Sequence, residues 1–503
     1  MPTPIGYEWL KEHYQLRVIP HSVRSYTGGL LGTKANQVKR HEILEQNFPD
    51  SARPEETLTG HLLFALKYEG ANPAYLRQVF LQTGAKDQIQ STIQKRPSSR
   101  WGRRLWFWYE YLTETLLPLP DCKAVKYESV LDEERYFTAH PINVRRYCLR
   151  NNLPGHRRFL PLVQKTDALR EESNARLEHC INSALTDYDE EVFTRASRFL
   201  TTYETRTSSE IESENITPDK YIRFGRALEM AGQTPLTKER LIEIQNIIKD
   251  GHQQEPDYRV EQNYIGGPGP QGVALPPPRP ENIEDLMDDW FAMSGRLAES
   301  DIPASVRAGI LSASFVYLHP FMDGNGRISR YLIQDVLAKS GILQPGIILP
   351  VSGGILNRQQ DYYQTLDLLS KAICAQTDYY IDEAGHITIE GETDHLFRYL
   401  DLTRYCQWLC EVIGDVAEHL LPKEIDTLVL ADRLYRALDD FLDLSAKELR
   451  LMVKIILDNK GKLSKRKQKQ FEFLTEHDFK QINRMASEVL KDSIRKKPDE
   501  LTQ

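Results

Sequence analysis

Along most of the chain, apolar residues recur every three or four positions with Glu, Lys and Arg between them, the spacing of amphipathic helices. Residues 169–200 carry this pattern and predict a long helical wall. Residues 303–318 are so rich in small and apolar side chains that they predict a helix buried on most sides, ended by Pro320. A new helix is expected from Arg327, with Ile328, Leu332, Val336 and Leu337 on its apolar face. Further helices are expected over 396–420 and 427–459. Polar residues 205–217, which show no core stripe, and the Gly- and Pro-rich stretches 266–272 and 276–280 interrupt the pattern. The flanks 259–265 and 273–275 alternate enough to predict a small hairpin.

Two apolar stretches need a choice. Residues 100–112 interleave Arg with Trp, Phe and Tyr, which suits either stacking on single-stranded nucleic acid or a helix with its aromatic face buried beneath exposed arginines. We read the second. Cys406 and Cys410, four apart on a helix, are read as buried free thiols, because the six cysteines are scattered and none has a C-x-x-C spacing. At 503 residues the chain is too long for one core. Its net charge of −8 gives no global positive field, so nucleic acid is not an expected partner. The basic run 460–469 is read as a solvated loop between helices rather than a nucleic-acid contact. No stretch approaches the roughly 18 apolar residues of a membrane span and no leader pattern opens the chain, so a cytoplasmic protein without membrane attachment is expected.

Two glycine-rich stretches are set aside. Residues 267–272 fit G-x-G-x-x-G but hold two prolines and lie in no βαβ pattern, and Gly28 to Lys34 lacks the Gly-Lys-Ser/Thr of a phosphate loop. The stretch that carries chemistry is His319-Pro-Phe-Met-Asp-Gly-Asn-Gly326, followed by Arg327 and Arg330. A glycine-bearing turn that opens a helix offers unpaired backbone N–H groups and a favourable dipole to an anion. The two arginines add charge-assisted bonds to it. Asp323 would repel a phosphate unless a hard divalent cation lay between them. His319 stands beside this seat, placed to take a proton from an attacking hydroxyl. Together these residues point to phosphoryl-group transfer.

The pattern His-Pro-Phe-x-Asp-Gly-Asn-Gly-Arg-x-x-Arg resembles the signature of the Fic family of protein adenylyltransferases. The resemblance implies ATP and Mg²⁺ as cofactors and transfer of AMP to a Ser, Thr or Tyr hydroxyl of a target protein. It makes His319 the base and Asp323 the metal ligand, puts Gly324, Asn325 and Gly326 around the phosphates, and gives Arg327 and Arg330 the β- and γ-phosphates. The hairpin 265–275 is similar to the family's flap, which pairs with the target's backbone. Residues 361–366 are similar to the segment that closes over adenine, making Tyr362 either a nucleotide contact or a core tyrosine. Some relatives carry an asparagine eight residues on, where this chain has Ser370.

Ser208-Ser-Glu-Ile-Glu-Ser213 is similar to the family's inhibitory motif, which implies that Glu212 pairs with Arg330 in place of the γ-phosphate and that Ser208 opens the motif. Ser213 departs from the usual Gly or Asn. Ser209 and Glu212 also have capping-box spacing, which would instead place a helix start there.

The expected fold is mainly α: a helical Fic core with a small β-hairpin flap, flanked by helical N- and C-terminal domains. The expected division is an N-terminal domain 1–125, a helical wall 126–217 with its inhibitory segment 205–216, the Fic domain 218–375 and a C-terminal domain 376–503. A homodimer is compatible with this reading. So are transfer of UMP, phosphocholine or a phosphoryl group, removal of AMP, and a non-catalytic nucleotide sensor.

Overall fold

The structure is a computed structural model of the chain. It describes all residues except 1, 29–35, 41–42, 124–125, 186–189, 214–217, 250–253, 268–269, 460, 472 and 495–503. Parts of several sequence expectations therefore lie outside the described residues: most of the Gly28 to Lys34 stretch, the end of the inhibitory segment (214–216), the tip of the flap (268–269) and the first residue of the basic run.

The fold is mainly α, as expected, with only small sheets. The N-terminal region is not purely helical, however. Its strands Thr3–Ile5, Val23–Thr27, Ile43–Phe48 and Asn36–Arg40 form one four-stranded sheet in that spatial order. The second and third of these run parallel, and the two outer pairings are antiparallel. The alternating burial of Val23–Thr27 is the period-two signal that the surrounding helical pattern masked. Against helices Leu58–Tyr68, Pro73–Phe80 and Ala85–Lys95, helix Arg100–Thr113 buries Trp106 and Trp108. Of its arginines only Arg100 is exposed as expected; Arg103 and Arg104 are buried. Arg103 donates to the carbonyl of Cys148 at 2.7 Å and Arg104 to that of Ser129 at 2.9 Å, so both guanidiniums enter the interior by satisfying backbone oxygens.

A second and larger core is built around helices Ala304–Leu318 and Asn325–Lys339, every residue of the first but Arg307 being buried. Helix Ile283–Ala298 lies against the first of the pair, with Trp290 donating to Ser314 Oγ at 2.8 Å. The chain returns to this core through Thr403–Asp415, where Cys406 and Cys410 are buried free thiols. A third core joins the end of Leu421–Asp439 to Ala446–Asp458 and Glu476–Ile494. The helix expected over 427–459 is thus two helices, parted at 440–445, and the second begins with a capping box at Ser445 and Glu448. A hairpin, Asp378–Ile381 with Ile387–Glu390, was not foreseen.

The helical wall runs as Asp167–Arg170, Asn174–Leu185 and Glu190–Ile211. The last of these corrects the reading of 205–217 as a segment without a core face. Thr205, Thr207, Ser208, Ser209 and Ile211 are all buried. Their hydroxyls remove the cost of burial locally: Thr205 donates to Thr201 O at 2.8 Å, Thr207 to Tyr203 O at 2.9 Å and Ser209 to Thr205 O at 3.2 Å. A polar sequence therefore packs as a helix. The capping-box alternative fails with it, because Ser209 sits in the last turn of a helix, not before the first.

Candidate active site

Helix Ala304–Leu318 ends at His319, whose φ of 50° and ψ of 56° turn the chain out of the helix. The turn is closed by Asn325, whose side-chain oxygen accepts from Phe321 N at 3.1 Å while its amide donates to Phe321 O at 2.7 Å. The side chain of Asn325 therefore shapes the loop. Gly324, at φ 81°, caps the next helix in the left-handed region that glycine adopts without strain. A Cβ on it would also stand 2.6 Å from Gln245 Oε1. Helix Asn325–Lys339 starts two residues before the expected Arg327, so the N–H groups of its first turn face the loop.

The predicted residues His319, Asp323, Arg327, Arg330, Ser208 and Glu212 meet at this helix mouth. His319 Nδ1 lies 3.3 Å from Val316 O; a carbonyl can only accept, so Nδ1 carries the proton and Nε2 keeps its lone pair. Burial, then the Arg259 guanidinium, hold the imidazole down to about 4, so it is neutral at pH 7. Asp323 accepts from Gly324 N at 2.6 Å and stands 3.3 Å from Lys249 Nζ and 3.7 Å from Arg327 Nη2. Burial works to raise its pKa, but Arg327 and Lys249 outweigh it and hold the carboxyl below the usual range.

Arg330 is almost fully buried. Its Nε donates to Ser208 Oγ at 2.7 Å, and its Nη2 donates to Ser208 O at 2.9 Å and to Glu212 Oε1 at 2.8 Å. Burial disfavours the cation, but Glu212 overrides it and the guanidinium pKa is raised. The Glu212 carboxylate also lies across the helix start: a Cβ on Gly326 would come 2.1 Å from Glu212 Oε1. Only glycine leaves room for an anion there. Ser213 follows at φ 55°, a left-handed conformation that Gly or Asn adopts more readily than Ser.

Tyr362 lies apart from these residues in kind. It is buried, its ring 5.3 Å from that of Trp408, and its exposed neighbour Tyr363 is the one that faces outward, donating to Ile211 O at 3.3 Å. Ser370 is buried. The flap is shorter than its flanks suggested: Ile265–Gly266 pairs with Val273–Leu275. Arg259 is not a strand residue. Its buried guanidinium donates to His319 O at 2.9 Å and to the carbonyl of Pro278, tying the turn after His319 to the base of the hairpin. Sequence reasoning missed Arg259, Lys249 and Gln245, which donates to Asp323 O at 2.7 Å. An arginine in loop-like sequence and a lysine at a helix end carry no local sign of what they touch.

Among the described residues no group of three or more His, Cys, Asp or Glu could by itself hold a metal ion, and no helix is long and apolar enough to cross a membrane. Residues 235–337 match the Fic/DOC family. The chain is 26% identical over 168 residues to a protein adenylyltransferase Fic of Drosophila willistoni, an alignment covering 33% of this chain and 30% of that protein. It is 34% identical over 111 residues to the protein adenylyltransferase fic-1 of Caenorhabditis briggsae, covering 22% and 18%. The chain thus spans less than a third of the length of these relatives. A Fic domain containing signaling protein from Bacteroides thetaiotaomicron superposes with a TM-score of 0.37 at 16% identity, covering 50% of this chain and 97% of that one.

Proposed function

We propose that this chain, a Fic family protein through residues 235–337, moves AMP from ATP to a hydroxyl of a target protein and is held inactive by Glu212. The observation that carries the proposal is the Glu212 carboxylate seated on Gly326 and Arg330, an anion already in the place where a helix mouth and a guanidinium would receive a phosphate. In the reaction the target hydroxyl oxygen bonds to the α-phosphorus as the bond to the bridging α–β oxygen breaks. Pyrophosphate leaves with that bond's electrons. The hydroxyl proton goes to Nε2 of His319, whose lone pair is free because Nδ1 is committed to Val316.

Arg327 and Arg330 would take the charge that develops on the leaving phosphates. Burial of both guanidiniums strengthens that interaction. Asp323 suits a phosphate-bridged Mg²⁺: it is a single carboxylate, about half exposed, and Mg²⁺ is commonly held by one or two carboxylates together with substrate phosphates and water. When bound, the ion would neutralise phosphate charge. The flap, 265–275, would align the target's backbone beside His319 by adding it as a strand. A cytoplasmic location and a protein target along the flap complete the reading.

The test is mass spectrometry of a host lysate treated with ATP and the Glu212→Gly chain, with UTP offered in parallel. Addition of AMP to a Ser, Thr or Tyr, lost in the Glu212→Gly, His319→Ala chain, is the expected result. No AMP on any protein, the chain itself included, would refute the proposal, and UMP alone would replace AMP with another group.

A further inference from the structure

The Lys249 ammonium, like the Arg259 guanidinium, is a cation at the mouth that no sequence pattern pointed to. It stands at the end of helix Lys238–Ile248, its side chain only 10% exposed. The residue is fixed at both backbone ends: its N–H donates to Gln245 O at 3.0 Å, and its carbonyl accepts from Arg223 Nη1 at 2.8 Å. Its Nζ lies 3.3 Å from Asp323 Oδ2 and 3.5 Å from Glu255 Oε1. Glu255 is held in turn, accepting from Met322 N at 3.2 Å with its other oxygen and receiving Asn246 Nδ2 on its carbonyl at 3.0 Å. The ammonium is thus placed by a helix end and by a carboxylate that is itself tied to the catalytic turn.

Asp323 Oδ1 is engaged by Gly324 N. Oδ2 is the oxygen left to meet a metal ion, and Lys249 is the nearest cation to it, with Arg327 farther at 3.7 Å. An ammonium and a divalent cation cannot share one carboxylate oxygen at contact distance without strong repulsion.

We propose that Lys249 is the resident counter-cation of Asp323 and competes with the divalent cation for Oδ2, so that the metal loads only together with phosphate. This rests on the nucleotide reading of the site. Before nucleotide arrives, Lys249 is the cation paired with Asp323 Oδ2 and holds it in place. With phosphate oxygens present, the ion gains ligands enough to displace the ammonium, which stays paired with Glu255.

The experiment is calorimetric binding of α,β-methylene-ATP to the full chain carrying Glu212→Gly, repeated at rising Mg²⁺, with Lys249 retained or changed to Met or Arg. Loss of the competing charge in Lys249→Met should lower the Mg²⁺ concentration at half-saturation by about tenfold. Lys249→Arg, which keeps the charge, should stay within about twofold of the Lys249 chain. Lys249→Gln, of similar reach without the charge, carries the same expectation as Met should that variant not fold. An unchanged or raised midpoint in the uncharged variants, or an equal fall in Lys249→Arg, would overturn the proposal. Failure of the Glu212→Gly chain to bind the analogue at any Mg²⁺ concentration would instead sink the nucleotide reading beneath it.

Discussion

Helix Glu190–Ile211 carries one carboxylate into the core and ends just before a second, about two turns on, and the two differ in kind. Glu204 is fully buried, accepting from Ser352 N at 2.9 Å and from Ser352 Oγ at 2.6 Å, where it meets the start of helix Val351–Asn357. Glu212, just past the helix end, is 37% exposed and bound to the mouth through Arg330. The first is an anchor that water does not reach. The second, the stopper of the proposed function, is one that solvent and a competing anion can reach, on a backbone that leaves the helix at once through the left-handed Ser213. Under the proposed function, the difference teaches how an inhibitory contact can be specific without being permanent: Glu204 ties the helix to the start of Val351–Asn357, while Glu212 makes a partly solvated contact.

Four changes would break or sharpen that comparison. The largest effect is expected at the mouth itself: in the Glu212→Gly chain, His319→Ala should lower AMP transfer by about 10²–10⁴, measured as label from α-³²P-ATP. Loss of less than tenfold would mean that the imidazole is not the base. Glu204 comes next, through pH. Burial raises its pKa from 4.5 to about 7, so the folded chain binds a proton that the unfolded chain has lost between those values. Its contribution to stability is therefore complete below about 4.5, falls as pH rises toward 7, and is level above. The total is about 3 kcal/mol. Glu204→Gln should flatten that part of the pH dependence of unfolding, seen as the difference between the two chains in denaturant titrations from pH 5 to 8. An unaltered slope would show that the anchor does not titrate.

Glu212→Gly should tighten binding of α,β-methylene-ATP by about tenfold or more, since a charged partner leaves Arg330 free for phosphate, while stability changes little because Glu212 is partly solvated. If stability fell as far as for Glu204→Ala, the contrast between anchor and stopper would collapse. The smallest effect is at the hinge. Ser213→Gly removes left-handed strain worth about 1 kcal/mol, which should stabilise the stoppered state and lower the activity of the otherwise unaltered chain severalfold.

The turn from His319 to Arg330 could be read in the sequence because its chemistry is local: a helix stop, two glycines and two arginines within twelve residues define a helix mouth without reference to anything distant. The pairing of Glu212 with Arg330 spans 118 positions and was reached only through resemblance to a family motif. Helix 205–211 was missed because hydroxyl residues look like a loop until their bonds to the carbonyls four residues back let them be buried.

What the sequence determined by itself was the mainly helical character of the chain, the helices on either side of one turn and the chemistry of that turn, because helical period, glycine turns and charge spacing act between near neighbours. What only the tertiary structure decided was which polar groups face one another: Arg259 on the His319 carbonyl, Lys249 on Asp323, Glu204 on Ser352. Those partners lie 60, 74 and 148 positions apart, and burial of a charge is settled by what packs around it, not by its neighbours in the chain.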